Sequence, residues 1–158
     1  AVARGLRVPL VYNCGGYETV ETLSLLEGVI DIYMPDFKFW EAASSERYCN
    51  APDYPARARQ ALLEMYRQVG DLVIPDGLAR RGLLVRHLVM PGGANESERI
   101  LEFIARGISP ETFVNVMAQY RPCHRAAEFA EIARPPGRDQ VSQTVETARK
   151  LGLKRVYT

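Results

Sequence analysis

Asp36 and Lys38 stand two residues apart just after one apolar run, and Arg86 interrupts another, Leu83-Leu84-Val85-Arg86-His87-Leu88-Val89-Met90. A carboxylate, an ammonium and a guanidinium brought to one place would grip a zwitterion: Arg86 or Lys38 for its carboxylate, Asp36 for its ammonium or hydroxyls. Amino-acid-like and nucleoside-like ligands suit that set. Each group also has a plain reading. Taken alone, Asp36 and Lys38 make an exposed pair that contributes little. A charged Arg86 within a buried strand needs a partner, and an ion pair with Asp31 or Asp36 would satisfy it as well as a ligand would.

Other reactive residue types give less. Cys14, Cys49 and Cys123 match no disulfide framework and no short metal-ligand spacing, so they are expected as free thiols packed like small apolar groups. His87 alternates to the face opposite Arg86, toward covering helices, and is expected as a satisfied core histidine; His124 follows Pro122 in a solvated loop. Two histidines so separated support neither a histidine metal site nor a Ser-His-Asp triad. Gly15-Gly16 lacks the residues that would complete a phosphate-binding loop.

These groups must be delivered by regular elements. Four apolar runs, Val8 to Tyr12, Val29 to Met34, Leu83 to Met90 and Phe113 to Met117, each stop at a polar cluster. That repetition predicts parallel strands whose C-terminal ends share one ligand-binding rim. Side-chain alternation then puts Asp36 with Lys38, Leu84 with Arg86, Leu88 and Met90, and Asn115 with Met117 and Gln119, each set on one face of its strand. Helical spacing predicts helices over Glu18 to Glu27, Ala56 to Val69, Asn95 (as N-cap) to Arg106, Arg125 to Ala133 and Asp139 to Leu151, with 39–53 as a loop. Strands alternating with helices predict an α/β fold of four βα units, either an open parallel sheet or a portion of a larger barrel.

Length and composition bound the rest. The 158 residues fit one domain, 1–158, with 138–158 as a terminal helix and tail. Net charge is +1, so no global field draws nucleic acid or an anionic membrane. No apolar stretch approaches the roughly 20 residues of a membrane-spanning helix, and the start Ala1-Val2-Ala3-Arg4-Gly5 has no signal-peptide core, so the chain is read as cytoplasmic.

In order along the chain, Val11-Tyr12-Asn13-Cys14-Gly15-Gly16-Tyr17, Asp31-Ile32-Tyr33-Met34-Pro35-Asp36-Phe37-Lys38-Phe39, Arg86-His87-Leu88-Val89-Met90-Pro91-Gly92 and Val116-Met117-Ala118-Gln119-Tyr120-Arg121-Pro122 resemble the radical S-adenosylmethionine proteins related to pyruvate formate-lyase activating enzyme. The resemblance implies a parallel-stranded partial (β/α)6 TIM-like barrel, of which the four βα units here correspond to strands 3–6. It implies S-adenosylmethionine and a [4Fe-4S] cluster as cofactors, reductive cleavage of the former to a 5′-deoxyadenosyl radical, an electron donor such as flavodoxin or ferredoxin, and a glycyl-radical enzyme or other protein as partner. Residue by residue, it implies Asp36, Lys38 and Arg86 as cofactor contacts, together with Asn13, Met117 and Gln119. The family's Cys-x-x-x-Cys-x-x-Cys, which holds three irons, and its Gly-Gly-Glu-type motif have no counterpart here. The chain is therefore expected to begin at the family's third strand and to leave an unpaired sheet edge near Val8 to Tyr12. The alternatives are a non-catalytic α/β binding domain that has lost the cluster, and a lyase using Lys38 as a Schiff-base amine.

Overall fold

The computed structural model describes residues 5–158; the reading of the first residues as free of a signal peptide falls on 1–4, outside the described residues. Five strands form one sheet: β1 (Val11–Cys14), β2 (Ile32–Pro35), β3 (Gly82–Leu88), β4 (Phe113–Met117) and β5 (Arg155–Tyr157). All are parallel and lie in chain order β1-β2-β3-β4-β5. Between them run α1 (Val20–Ser24), α2 (Ala42–Cys49), α3 (Tyr54–Val69), α4 (Ser97–Glu102, continued by a π-turn over Phe103–Ile108) and α5 (Arg138–Lys150). Among the described residues, no helix is long and apolar enough to cross a membrane.

The sheet explains the alternation in the sequence. In β3 and the residues after it, Leu83, Val85, His87 and Val89 are wholly buried, while Leu84, Arg86 and Leu88 are half-buried. The buried set faces the helices: Tyr33 on β2 donates to Gln68 of α3 (2.7 Å), and α5 packs on β4 and β5. On α3, Ala58, Ala61, Leu62, Met65 and Val69 recur at helical spacing and are buried, each large side chain contributing about 1.5–3 kcal/mol by leaving water. α3 starts behind Asp53 with Pro55 in its first turn, where a missing N–H costs nothing, and stops at Gly70.

Several expected boundaries shift. The first strand is Val11–Cys14 rather than Val8 to Tyr12, because its extent is set by its pairing with Ile32–Pro35; Val8 is 65% exposed. The expected loop 39–53 contains α2, whose first turn is capped from elsewhere in the chain. Asn95 is not the N-cap of α4: its buried amide donates to the Leu88 carbonyl, and Glu96, at φ 55°, precedes the helix instead. The helix expected over Arg125 to Ala133 is a 3-10 turn at His124–Glu128 followed by further turns. β5 was not expected, so the units number more than four strands.

Candidate functional site

Strand register brings the charged groups together. Asp36, just past β2, bridges Arg86 of β3; Arg86 pairs with Asn115 of β4, and Asn115 with Tyr157 of β5. These four thus form one transverse row near the C-terminal rim, on the face not covered by the helices. Within it Asp36 answers two cations at once: Oδ1 lies 2.6 Å from Arg86 Nη2 and Oδ2 accepts from Lys38 Nζ at 2.7 Å. The three side chains are 15%, 23% and 33% exposed, so the expectation of a cheap exposed Asp-x-Lys pair is corrected to a largely sheltered triad. Within the triad one carboxylate faces two cations; Glu18, which acts together with Asp36 on the Cys14 thiol and the Tyr54 hydroxyl, is a second carboxylate close by, and Arg86 Nε is enclosed without a partner among the described residues. Of the two carboxylates considered for Arg86, the register selects Asp36, while Asp31 accepts from the Leu10 amide instead.

Backbone anchors hold Asp36 and Lys38 from the helix side. The Tyr54 hydroxyl, at the start of α3, accepts from the Lys38 amide (3.0 Å) and lies 3.1 Å from both the Gly15 and Asp36 carbonyls, which share its single proton. Burial raises its pKa, which keeps it a donor. Between Asp36 and Lys38, Phe37 is fully buried against Phe103 at 6.0 Å, and its carbonyl lies 2.9 Å from His87 Nδ1. A carbonyl only accepts, so Nδ1 carries the proton and Nε2 accepts from the Ser97 hydroxyl at 2.8 Å. Complete burial lowers the His87 pKa to about 4, so it is a neutral structural strut, as its face predicted. Gly16 turns the chain at φ +78° directly against the Asp36 carbonyl, where no side chain fits.

The other expected site residues lie apart from the triad. Asn13 is exposed and registers with Met34, one row, about 7 Å, toward the strand N-termini. Met117 registers with Leu88 in the next row beyond Arg86, and Gln119, exposed past the end of β4, donates to the Met117 sulfur at 3.4 Å. Sequence reasoning missed Tyr54 altogether, since a tyrosine opening a helix looks like any core aromatic. It placed Asn115 on the right face but not beside Arg86, which only register reveals. The cysteines are free; Cys14 is half-buried and its thiol is pushed up to about 12, chiefly by burial, while Cys49 and Cys123 are exposed rather than packed as expected.

Beyond Lys38 and Leu88 the rim opens into a cavity of about 690 Å³ between α2 and the segment after β4. Its α2 wall depends on Glu96, whose carboxylate lies 3.4 Å from the Trp40 and Glu41 amides and 2.5 Å from the Ser44 hydroxyl, capping the helix from a distant loop. Glu96→Ala is expected to cost about 1–2 kcal/mol and to speed amide exchange selectively in α2, measured by hydrogen exchange; uniform protection across α2 would refute the cap.

No family model matches the chain. An uncharacterized protein of Methanocaldococcus jannaschii is 33% identical over 151 residues, which cover 95% of this chain and 40% of that relative. The chain thus spans well under half the length of the curated relative it matches.

Proposed function

We propose that this chain is the C-terminal portion of a radical S-adenosylmethionine enzyme of the glycyl-radical activating type, with Asp36, Lys38 and Arg86 as the clamp for the cofactor's methionine and ribose. The observation that carries the reading is the sheltered triad with a single carboxylate for two cations. A ligand carboxylate at Lys38 or Arg86 would relieve Asp36 of one of its two cations, and Asp36 would then be released to meet an ammonium or hydroxyls. Those are the groups at the methionine end and ribose of S-adenosylmethionine, so the residues present fit it. When bound, the cofactor supplies the radical chemistry; this chain's side chains bind and orient it.

Sheet order supports the barrel part of the reading. Open doubly wound sheets reverse their winding at a switch point, whereas β1 to β5 run in unbroken sequence, the winding of a (β/α) barrel. The outer edge at β1 is where the two remaining strands of a (β/α)6 sheet would pair, and β5 is a strand beyond those six.

The iron–sulfur cluster does not fit this chain's residues. Among the described residues no three His, Cys, Asp or Glu side chains are grouped to hold a metal ion, and the cysteines lie on β1, at the end of α2 and after β4. The reading assigns the cluster's thiolates, and the docking of a flavodoxin- or ferredoxin-like donor, to the rest of a longer protein.

The test is calorimetric titration of S-adenosylmethionine into the anaerobically reconstituted full-length protein. Arg86→Ala and Asp36→Ala are each expected to weaken binding about tenfold to hundredfold, the loss of a charged hydrogen bond. Unchanged affinity in both would overturn the site. A full-length protein that takes up neither iron nor sulfide would favour the non-catalytic binding domain.

A further inference from the structure

We propose that Asn115 and Tyr157 hold the main chain of a protein substrate beside the cofactor clamp, Asn115 pairing its side-chain amide with a peptide group and Tyr157 supplying the face on which that peptide lies. This deepens the reading above by naming the residues that receive the protein partner, and it rests on that reading. Strands in register put Asp36, Arg86, Asn115 and Tyr157 side by side on the open face of the sheet. The charged half of the row is the clamp. The other half is uncharged, and Asn115 stands next to Arg86 at the spacing of adjacent strands, about 4.8 Å. A segment held by Asn115 therefore adjoins whatever Asp36 and Arg86 grip.

Asn115 is half-buried, yet its side-chain amide makes no hydrogen bond among the described residues. Taking an amide partly out of water without a partner costs free energy that a ligand can restore. Its donor and acceptor, side by side, match the C=O and N–H of a peptide group, whereas the clamp already serves a carboxylate and an ammonium. Tyr157 is a prepared surface. Its ring lies within 2° of parallel to that of Phe113, with centroids 4.5 Å apart. Arg155, tethered to the Leu72 carbonyl at 2.6 Å, also lies against Phe113, 5.4 Å from its centroid, and so fixes the ring that supports Tyr157. Tyr157 itself is 55% exposed, which leaves its second face open. A flat ring fits a stretch of chain without side chains more closely than a branched one. Glycine has no side chain to recognise, so a site for a glycine-containing segment must read main chain, which is what an unpartnered amide beside an open ring does.

The experiment titrates the capped peptide N-acetyl-glycyl-glycyl-glycinamide, followed by ligand-observed NMR, into the anaerobically reconstituted full-length protein saturated with S-adenosylmethionine. Its counterpart built from sarcosine, whose N-methyl groups replace the main-chain N–H donors, serves as the comparison. Saturable binding of the glycine peptide at about millimolar concentration is expected, with the sarcosine peptide about tenfold weaker. Asn115→Leu, of similar volume, and Tyr157→Ala are each expected to weaken the glycine peptide about tenfold, while Tyr157→Phe, which keeps the ring, binds it as the wild type does; all three leave S-adenosylmethionine affinity unchanged. Absence of peptide binding, equal binding of the two peptides, or indifference to Asn115→Leu and Tyr157→Ala would overturn the proposal while leaving the clamp standing. Loss of S-adenosylmethionine affinity in Asn115→Leu and in the smaller Asn115→Ala alike, at an unchanged urea midpoint, would also overturn it, by giving the row to the cofactor. A full-length protein that binds no S-adenosylmethionine at all would bring down the reading itself, and this inference with it.

Discussion

Gly16→Ala is expected to destabilise the fold by about 3 kcal/mol and to weaken the S-adenosylmethionine binding proposed for the full-length protein, whereas Gly15→Ala should do neither. At φ +78° an L-residue already meets a cost of about 1–2 kcal/mol, and a Cβ there would overlap the Asp36 carbonyl oxygen, which is backbone and cannot swing aside. The peptide that must move carries the Asp36 side chain and receives the Tyr54 hydroxyl, so a stability defect becomes a site defect. Gly15, one residue earlier, has no such φ, and its Cβ would meet only the tip of Lys38 at 4.0 Å. Urea unfolding of both variants measures the difference as a shift in midpoint at constant slope. Equal midpoints for the two would refute the claim that the turn at Gly16 fixes the Asp36 backbone.

Alternation along β3 was readable because one face of the strand is buried by helices and the other is not. Period-2 patterning therefore put His87 in the core and Arg86 on the opposite face, and the same rule joined Asp36 to Lys38. Register was not readable. Which carboxylate Arg86 takes, and that Asn115 stands beside it, depend on how far β2, β3 and β4 slide along one another, and no single strand encodes that offset.

The misread elements share a physical cause. α2 contains Ser44 and Ser45, poor helix formers, and its first turn is completed by Glu96 from another loop. A helix capped from that distance leaves no local start signal. The three residues of β5 gain strand structure only because the edge of β4 offers them partners. Conversely, the apolar spacing over Arg125 to Ala133 suggested a helix, but His124 at φ 51° turns the chain just before it, and Pro135-Pro136 follows, leaving a single 3-10 turn. That irregular segment forms one wall of the cavity beside Lys38, so this part of the rim was the least legible.

His87 ties the clamp to acid stability. Its pKa is about 4 when folded against 6.5 in an unfolded chain, because the buried imidazole has no charge partner to offset desolvation. Below pH 6.5 the unfolded chain binds a proton that the native state refuses, so stability is full above 6.5 and falls as pH drops toward 4. Over that window the loss should reach about 3 kcal/mol. The added proton goes to Nε2, where the Ser97 hydroxyl donates in the neutral form, while the Nδ1–H bond to the Phe37 carbonyl between Asp36 and Lys38 persists. His87→Gln retains a donor for that carbonyl but no titrating group. It should be less stable than the wild type at pH 7 and show a flatter pH dependence between 6.5 and 4, measured by urea unfolding at a series of pH values. Glu64, whose pKa is held near 2 mainly by Arg67, adds its own acid loss below about pH 4.5 in both proteins and cancels in the comparison. Parallel stability curves for the two proteins across that window would show that the neutral, buried imidazole is not what ties this site to pH.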